Sequence, residues 1–439
     1  MDGMGSGGYT GIFSDANSGS SGDAGNVDVT VAGALKILNG AWISSDTYDV
    51  GNAGSVSVRA GSLAIDRQGN DRVTGISSDA IYNIYYVTGN AGNIDVTVAG
   101  QLSILNGGRI SSLTEGEGVA GHVDVSAGNL LLSGKYSWYR SGVLYDSPSS
   151  IDASAGVISS GQTGSVTVNV AGTTTLQNSA EISIKNYATV ADPTVLFPTT
   201  LTITSPNLTL SNSAITAAST GNVSASNITV NVRDTLHLDP SQITTSANLG
   251  NGGSIFINGG RLVWLDNSQI TTSVAGLTGN GGDIHITADN LVLSTGFIQA
   301  NTAATNASGG NIVLNIGALI PSGGILYVGG DTPYRFQPYI FGYNVIQAAA
   351  PDGVSGAIEI TSPTIDLSGS LAGLSTRVLD SGGLGRNPCR TGGSSLGVVG
   401  RGGLPSPTSG PLRIDETPER GAAGASAGSF KLAALGCGI

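Results

Sequence analysis

Nine isoleucines recur through this chain at a nearly constant interval, and each opens a short polar strand: Ile43, Ile76, Ile110, Ile151, Ile182, Ile215, Ile243, Ile270 and Ile298. The intervals are 33, 34, 41, 31, 33, 28, 27 and 28 residues. Small residues follow them, such as Ser-Ser-Asp after Ile43 and Ile76 and Thr-Thr-Ser after Ile243 and Ile270. An apolar position that returns at this period means one structural unit stacked along an axis. Each unit then buries its face only against its neighbours. That escapes the size limit of a single globular core, which a chain of 439 residues would exceed.

The units share a grammar. A Gly/Asn turn comes first, as in Gly51-Asn-Ala-Gly, Gly89-Asn-Ala-Gly and Gly279-Asn-Gly-Gly. Gly and Asn tolerate positive φ, so they suit sharp corners. An alternating strand follows, for example Ile94, Val96 and Val98, or Ile228, Val230 and Val232. Period-two alternation of β-branched residues marks a strand with one buried face. A second short strand comes next (Leu102 and Ile104; Leu236 and Leu238), then a polar turn, often Asn-Gly, then the isoleucine strand. Three short strands per unit predict an all-β parallel β-helix solenoid of about ten or eleven coils. Coils about 4.8 Å apart would make a rod roughly 50 Å long. A sandwich or barrel would not demand an in-register sequence repeat. A leucine-rich repeat would need a helical side that is missing.

Composition narrows the function. Hydrophobic residues make up 39% and charged residues 11%, and the net charge is −12. A chain so poor in Lys and Arg cannot replace counterions on phosphate, so nucleic acid is not an expected partner. An anionic membrane surface offers it nothing. No apolar run reaches the roughly 18 residues of a transmembrane segment, and no metal or organic cofactor is expected. Three stretches of organisation stand out: an N-terminal edge over residues 1–21, repeats over 22–316, and a looser segment over 317–379 with one more coil. In that looser segment Phe336, Tyr339, Phe341 and Tyr343 are placed to cap the rod. A Gly/Pro-rich tail follows over 380–439. The two cysteines, Cys389 and Cys437, lie in that tail. They either close a disulfide or remain two thiols, because sequence does not give their separation.

Two units carry extra residues between the second strand and the isoleucine: Asp66 to Gly75 and Ser133 to Ser150. One uninterrupted unit separates them, so they should emerge side by side at one corner. The longer insertion holds Tyr136, Trp138, Tyr139, Arg140 and Tyr145; the shorter holds Arg67 and Arg72. Tyr82, Tyr85 and Tyr86 form a third cluster at the next corner. Aromatics are only 5% of the chain, so their clustering carries information. Either they form a recognition patch for sugar rings or a protein, or they fold down as a lid and bury themselves. The need of an inserted loop for anchorage favours the lid.

For chemistry, the outward column of the first strand brings Asp95 and Asp124 onto adjacent coils. Such a pair could hold Ca²⁺ or act as acid and nucleophile on a glycoside. No Arg or Lys shares the column, and a solvated polar face explains the pair more simply. The Thr244-Thr245 and Thr271-Thr272 pairs read as solvent-facing β positions.

The unit Gly-Asn-Ala-Gly-Asn-Ile-Asp-Val-Thr-Val-Ala-Gly-Gln-Leu-Ser-Ile-Leu-Asn-Gly-Gly-Arg-Ile-Ser-Ser over residues 89–112 resembles repeats of filamentous haemagglutinin-type exoproteins. Those are substrates of two-partner (type V) secretion in Gram-negative bacteria. Asn387-Pro388-Cys389 followed by Gly400-Arg401-Gly402-Gly403-Leu404-Pro405 resembles the C-terminal end of such proteins, especially cyanobacterial-type members. The resemblance runs from residue 22 to about 412. It implies a right-handed parallel β-helix, an outer-membrane transporter as secretion partner, and a secreted or cell-surface location. It further implies an adhesin-like stalk with a host, matrix or glycan receptor and no catalytic residues. The family's N-terminal secretion domain and signal peptide are not in this sequence, so a piece of a longer protein is expected. Two alternatives remain: a β-helix polysaccharide lyase or glycoside hydrolase, and a structural passenger whose tail anchors to the secretion partner.

Overall fold

The isoleucines lie one over the next in sequence order. Ile43 pairs with Ile76, Ile76 with Ile110, and Ile110 with Ile151. The same register continues through Ile182, Ile215, Ile243 and Ile270 to Ile298. The computed structural model describes residues 1–6, 8–81 and 89–361. The chain divides into two units, Met1–Thr364 and Ile365–Ile439, and every residue described belongs to the first. It is a parallel β-helix. A 12-stranded sheet carries the isoleucines, and a 13-stranded sheet carries the preceding strands of each repeat. All nine isoleucines are fully buried. The column also runs further than the regular period reveals. Ile12 pairs with Ile43 at one end, and Ile346 pairs with Ile298 at the other.

The first and second strands of a repeat share one sheet. In most repeats they run on as one bent strand, as in Val27–Leu38, Ile94–Leu105 and Asn227–Asp239. They separate in two repeats, as Val166–Val170 with Thr173–Gln177 and Ile255–Asn258 with Leu262–Asp266. The register shifts at the bend, between Val98 and Gln101 for instance, which keeps Val98 and Leu102 both inward. Such an irregularity sharpens the local bend of the strand.

The Gly-Asn-Ala-Gly corners need glycine for close approach more than for backbone freedom. A Cβ on Gly92 would stand 2.2 Å from the Gly54 carbonyl oxygen, and one on Gly121 would stand 2.0 Å from that of Gly92. Positive φ falls instead on the turn before the isoleucine strand, at Asn39 (53°), Asn106 (54°), Asn212 (49°) and Asn267 (48°). Side chains staple the glycine corners from coil to coil. Asn52 Oδ1 accepts from the Asn90 backbone N–H at 3.0 Å, and Asn90 Oδ1 from Val119 at 2.9 Å. His122 takes the same part, accepting at Nδ1 from Ser165 N–H at 2.9 Å.

The interior is not wholly apolar. The second residue after each isoleucine points inward. Ser45, Ser78 and Ser112 are buried, and so are Thr245 and Thr272, which corrects the reading of both Thr pairs as solvent-facing. Only Thr244 and Thr271 look outward, half-buried. The buried hydroxyls link the isoleucine strand to the glycine corner. Ser78 Oγ donates to Gly54 O at 2.6 Å and accepts from Gly92 N–H at 3.0 Å. Thr245 donates to Gly253 O, and Thr272 to Gly282 O.

A third insertion, residues 322–344, leaves the corner used by the first two. Its strand Tyr327–Val328 pairs with Val345–Ile346 and covers the edge of the last isoleucine strand. Phe336 and Tyr343 meet buried Phe297 edge-on at 5.1 and 4.9 Å, so they cover the side of the sheet. Tyr339 and Phe341 remain exposed. The additional coil is present as Ile358–Thr361, which pairs with Ile312–Asn315. Its second half (Ile365, Leu367), the Gly/Pro-rich tail, Cys389 and Cys437 lie outside the described residues. So do Tyr82, Tyr85 and Tyr86. Among the described residues, no helix is long and apolar enough to cross a membrane.

Candidate functional site

The longer insertion folds as a two-stranded antiparallel hairpin, Lys135–Arg140 with Val143–Pro148. Ser141 and Gly142 make its turn, with φ of 51° and 79°. Two consecutive left-handed residues give the turn whose twist matches a hairpin. Alternation then sorts the side chains. Tyr136, Trp138 and Tyr145 share one face and stack in a row, with ring centres 5.8 and 5.7 Å apart. On the other face Asp146 accepts from Lys135 Nζ and Ser137 Oγ, both at 2.6 Å. These contacts hold the Asp146 carboxyl below its ordinary range.

The hairpin does not fold down into a lid. Trp138 is 37% exposed, Tyr145 44% and Tyr139 74%, and Arg140 is exposed as well. Cross-strand aromatic stacking gives the hairpin an anchorage of its own, which is why it can stand away from the coils.

The two insertions do touch. The Arg67 guanidinium lies over the Tyr136 ring at 3.8 Å, extending the aromatic row by a cation. Arg67 is 4% exposed and donates to the carbonyls of Asn70 and Asp71 at 2.7 and 2.6 Å. Both insertions lean over the Asn-Gly turn of the preceding coil. Tyr136 packs on Gly107, where an added Cβ would come within 2.7 Å, and Arg72 packs on Gly40, where it would come within 3.0 Å. Asn-Gly therefore occupies the turns that the first two insertions cover, whereas the third insertion bonds to Thr295-Gly296 and to Asn267, which is followed by serine. That signal was readable in the sequence and was missed.

Arg72 turns away from the hairpin. Its guanidinium lies 5.3 Å from the Tyr9 ring and donates to Gly8 O at 2.6 Å. It borders a cleft of about 730 Å³ on the isoleucine sheet near the N-terminal end, lined also by Trp42, Tyr48, Asp46, Asp79 and Arg109. Sequence reading did not single out this cleft. Its buried acids, Asp46 and Asp79, end the two Ile-Ser-Ser-Asp segments, and the register stacks them with Asp15 as a ladder. Asp15 Oδ1 accepts from Ser44 Oγ at 2.8 Å and from Asp46 N–H at 2.9 Å. Asp46 Oδ1 accepts in the same way from Ser77 Oγ and Asp79 N–H, each at 2.8 Å. Asp79 Oδ1 accepts from Leu113 N–H at 2.9 Å, and its other oxygen meets Arg109 at 3.1 Å. Asp46 is 4% and Asp79 1% exposed. Burial pushes the Asp46 carboxyl up to about 6, against the hydrogen bonds from Asp79 and Ser77. Burial also raises Asp79 well above the carboxylate range, with Arg109 opposing.

The Asp95–Asp124 pair sits on adjacent coils as expected, but both side chains are exposed on an open strand face. Asp95 accepts from Thr97 Oγ1 at 3.2 Å. Arg59 reaches the same face from the neighbouring column and stands 3.7 Å from Asp28. Among the described residues, no three His, Cys, Asp or Glu side chains converge to hold a metal ion.

The fold and these two surfaces define a parallel β-helix with side loops. No protein-family model, curated protein or solved structure matches the chain.

Proposed function

We propose that this protein is a non-enzymatic, adhesin-like stalk of the filamentous haemagglutinin type. In this reading it is exported by two-partner secretion to the surface or surroundings of a Gram-negative bacterium, and its attachment surface is the hairpin Lys135–Pro148. The observation that carries the attachment reading is the aromatic row whose exposed rings, Tyr145 and Trp138, stack across the hairpin and continue through half-buried Tyr136 onto the buried Arg67 guanidinium. Aromatic and Arg side chains fixed in place lose little entropy on contact, which suits them to binding.

Excision of residues 135–148 tests it. The neck is already closed, with Ser149 N–H donating to Gly134 O at 2.9 Å. The shortened protein should keep its β-sheet signal and lose adhesion to cells, matrix or immobilised glycans. Unchanged adhesion would remove the hairpin from the reading. The export route has its own test, since a gene for an outer-membrane transporter of the two-partner type should lie beside this one. The enzymatic alternative finds no support at Asp95 and Asp124, both open to solvent. The passenger alternative rests on the tail, outside the described residues.

A further inference from the structure

We propose that the N-terminal cleft is a second binding site, for an uncharged sugar residue, built from Trp42, Tyr48, Asp46, Arg72 and Arg109. It deepens the attachment reading by naming a ligand class, yet it stands on residues the hairpin does not use.

Three observations carry it. The first is shape: a cleft of about 730 Å³ holds a sugar unit with room to spare, and aromatic side chains line it beside charged ones. Aromatic faces take the apolar C–H face of a sugar ring, while fixed carboxylates and guanidinium groups take its hydroxyls. The second is an unfilled hydrogen-bonding capacity. Asp46 is 4% exposed and its Oδ1 is committed to the ladder. Among the described residues no hydrogen bond reaches its Oδ2, and Asp46 lines the cleft. Arg109 Nε is buried with no partner, although the same guanidinium meets Asp79 and lies 5.1 Å from the Trp42 ring. Buried polar atoms are nearly always satisfied, so the unpartnered Nε of Arg109, on a residue that lines the cleft beside the uncommitted Asp46 oxygen, points to a ligand that can both accept and donate. A hydroxyl does. The third is rigidity. Trp42 is held by its indole N–H to Ser77 Oγ at 2.8 Å, and Asp46 by two hydrogen bonds to the next coil. The site is therefore formed before any ligand arrives.

Charge selects among sugars. Asp15, Asp46, Asp71 and Asp79 face the cleft against Arg72 and Arg109. An acidic or sulfated sugar would meet more carboxylates than cations.

Trp42 provides the readout in a protein carrying Trp138→Phe and Trp264→Phe, which leaves it the only tryptophan. Probes are neutral hexose and N-acetylhexosamine oligosaccharides, uronic and sulfated oligosaccharides, spermidine, and Ca²⁺ alone. A neutral oligosaccharide should shift Trp42 emission. Tyr48→Ala and Asp46→Asn should each weaken it about tenfold or more, with the β-sheet circular dichroism retained. Tyr48→Phe covers the case in which the alanine variant fails to fold, and it should bind nearly as well as the parent. Excision of 135–148 should leave this binding intact, so loss of hairpin adhesion and loss of cleft binding are separate results. A response to the acidic probes, spermidine or Ca²⁺ alone overturns the proposal. So does neutral-sugar binding that survives Tyr48→Ala and Asp46→Asn unchanged.

Discussion

Asp46 shows how one side chain serves both the coil and the cleft. Its Oδ1 ties two coils together, while its burial raises the carboxyl to about 6 from an ordinary 3.8. The folded protein thus holds this proton more tightly than the unfolded chain does. The resulting stabilisation is complete below about pH 4 and is lost as pH rises through about 6. Asp79 shifts in the same direction and adds to the loss at higher pH. The N-terminal coils should therefore be more stable at pH 4.5 than at pH 7.5, by on the order of a few kcal/mol. Asp15, Asp79 and Arg109 all face Asp46, so the comparison needs Asp46→Asn, which should flatten the dependence. Hydrogen exchange of amides in residues 41–47 and 75–80 at the two pH values measures it. Protection that rises toward pH 7.5, or equal slopes in parent and variant, would contradict the assignment. The inward Thr245 and Thr272 were misread from sequence for a related reason. A Thr-Thr pair on a strand looks outward and inward alternately, and only the partner across the interior, a glycine carbonyl, makes the inward hydroxyl tolerable.

Among elements, the insertions were legible as interruptions of a period, and so was their adjacency, because stacked coils bring equivalent corners together. Their form was not legible. Whether Tyr136, Trp138 and Tyr145 sink or stand depends on a strand pairing that places Trp138 opposite Tyr145. The turn controls that pairing. Ser141 adopts φ of 51°, a conformation that costs a serine about 1 kcal/mol and an asparagine less. Ser141→Asn should sharpen the hairpin and slow exchange of its amides. Gly142→Val, at φ of 79°, should loosen it and red-shift Trp138 emission, with the coils unaffected. If Gly142→Val also melts the coils, the hairpin is part of the scaffold and not a loop upon it.

On the scale of the whole β-helix, stability is a sum of coils and of the contacts between neighbours. Ile243 lies between Ile215 and Ile270 and is fully buried. Ile243→Ala should cost about 2–5 kcal/mol through lost burial and the cavity left behind. In a stack the loss is local, so denaturant unfolding should divide into two transitions. Protection should fall most in residues 214–219, 242–247 and 269–274. A single transition displaced as a unit would mean that the coils fold as one cooperative block.

The sequence by itself determined the repeat, the all-β class, the order of stacking and the corner from which the insertions depart. Each follows from alternation and period, which are local properties of a chain whose units contact only their neighbours. Tertiary structure alone decided the rest. It extended the isoleucine column to Ile346, 48 residues beyond Ile298, because register ignores the length of an intervening loop. It joined the first two strands into one sheet through a bend. It also moved the point of chemical interest from Asp95 and Asp124 to Asp46 and Asp79. All four carboxylates stack on neighbouring coils. One pair stands on an open face, and the other lies beneath aromatic side chains from residues 9–48 and the loop that carries Arg72. Burial of a charge depends on what covers it, and the covering residues are distant in sequence.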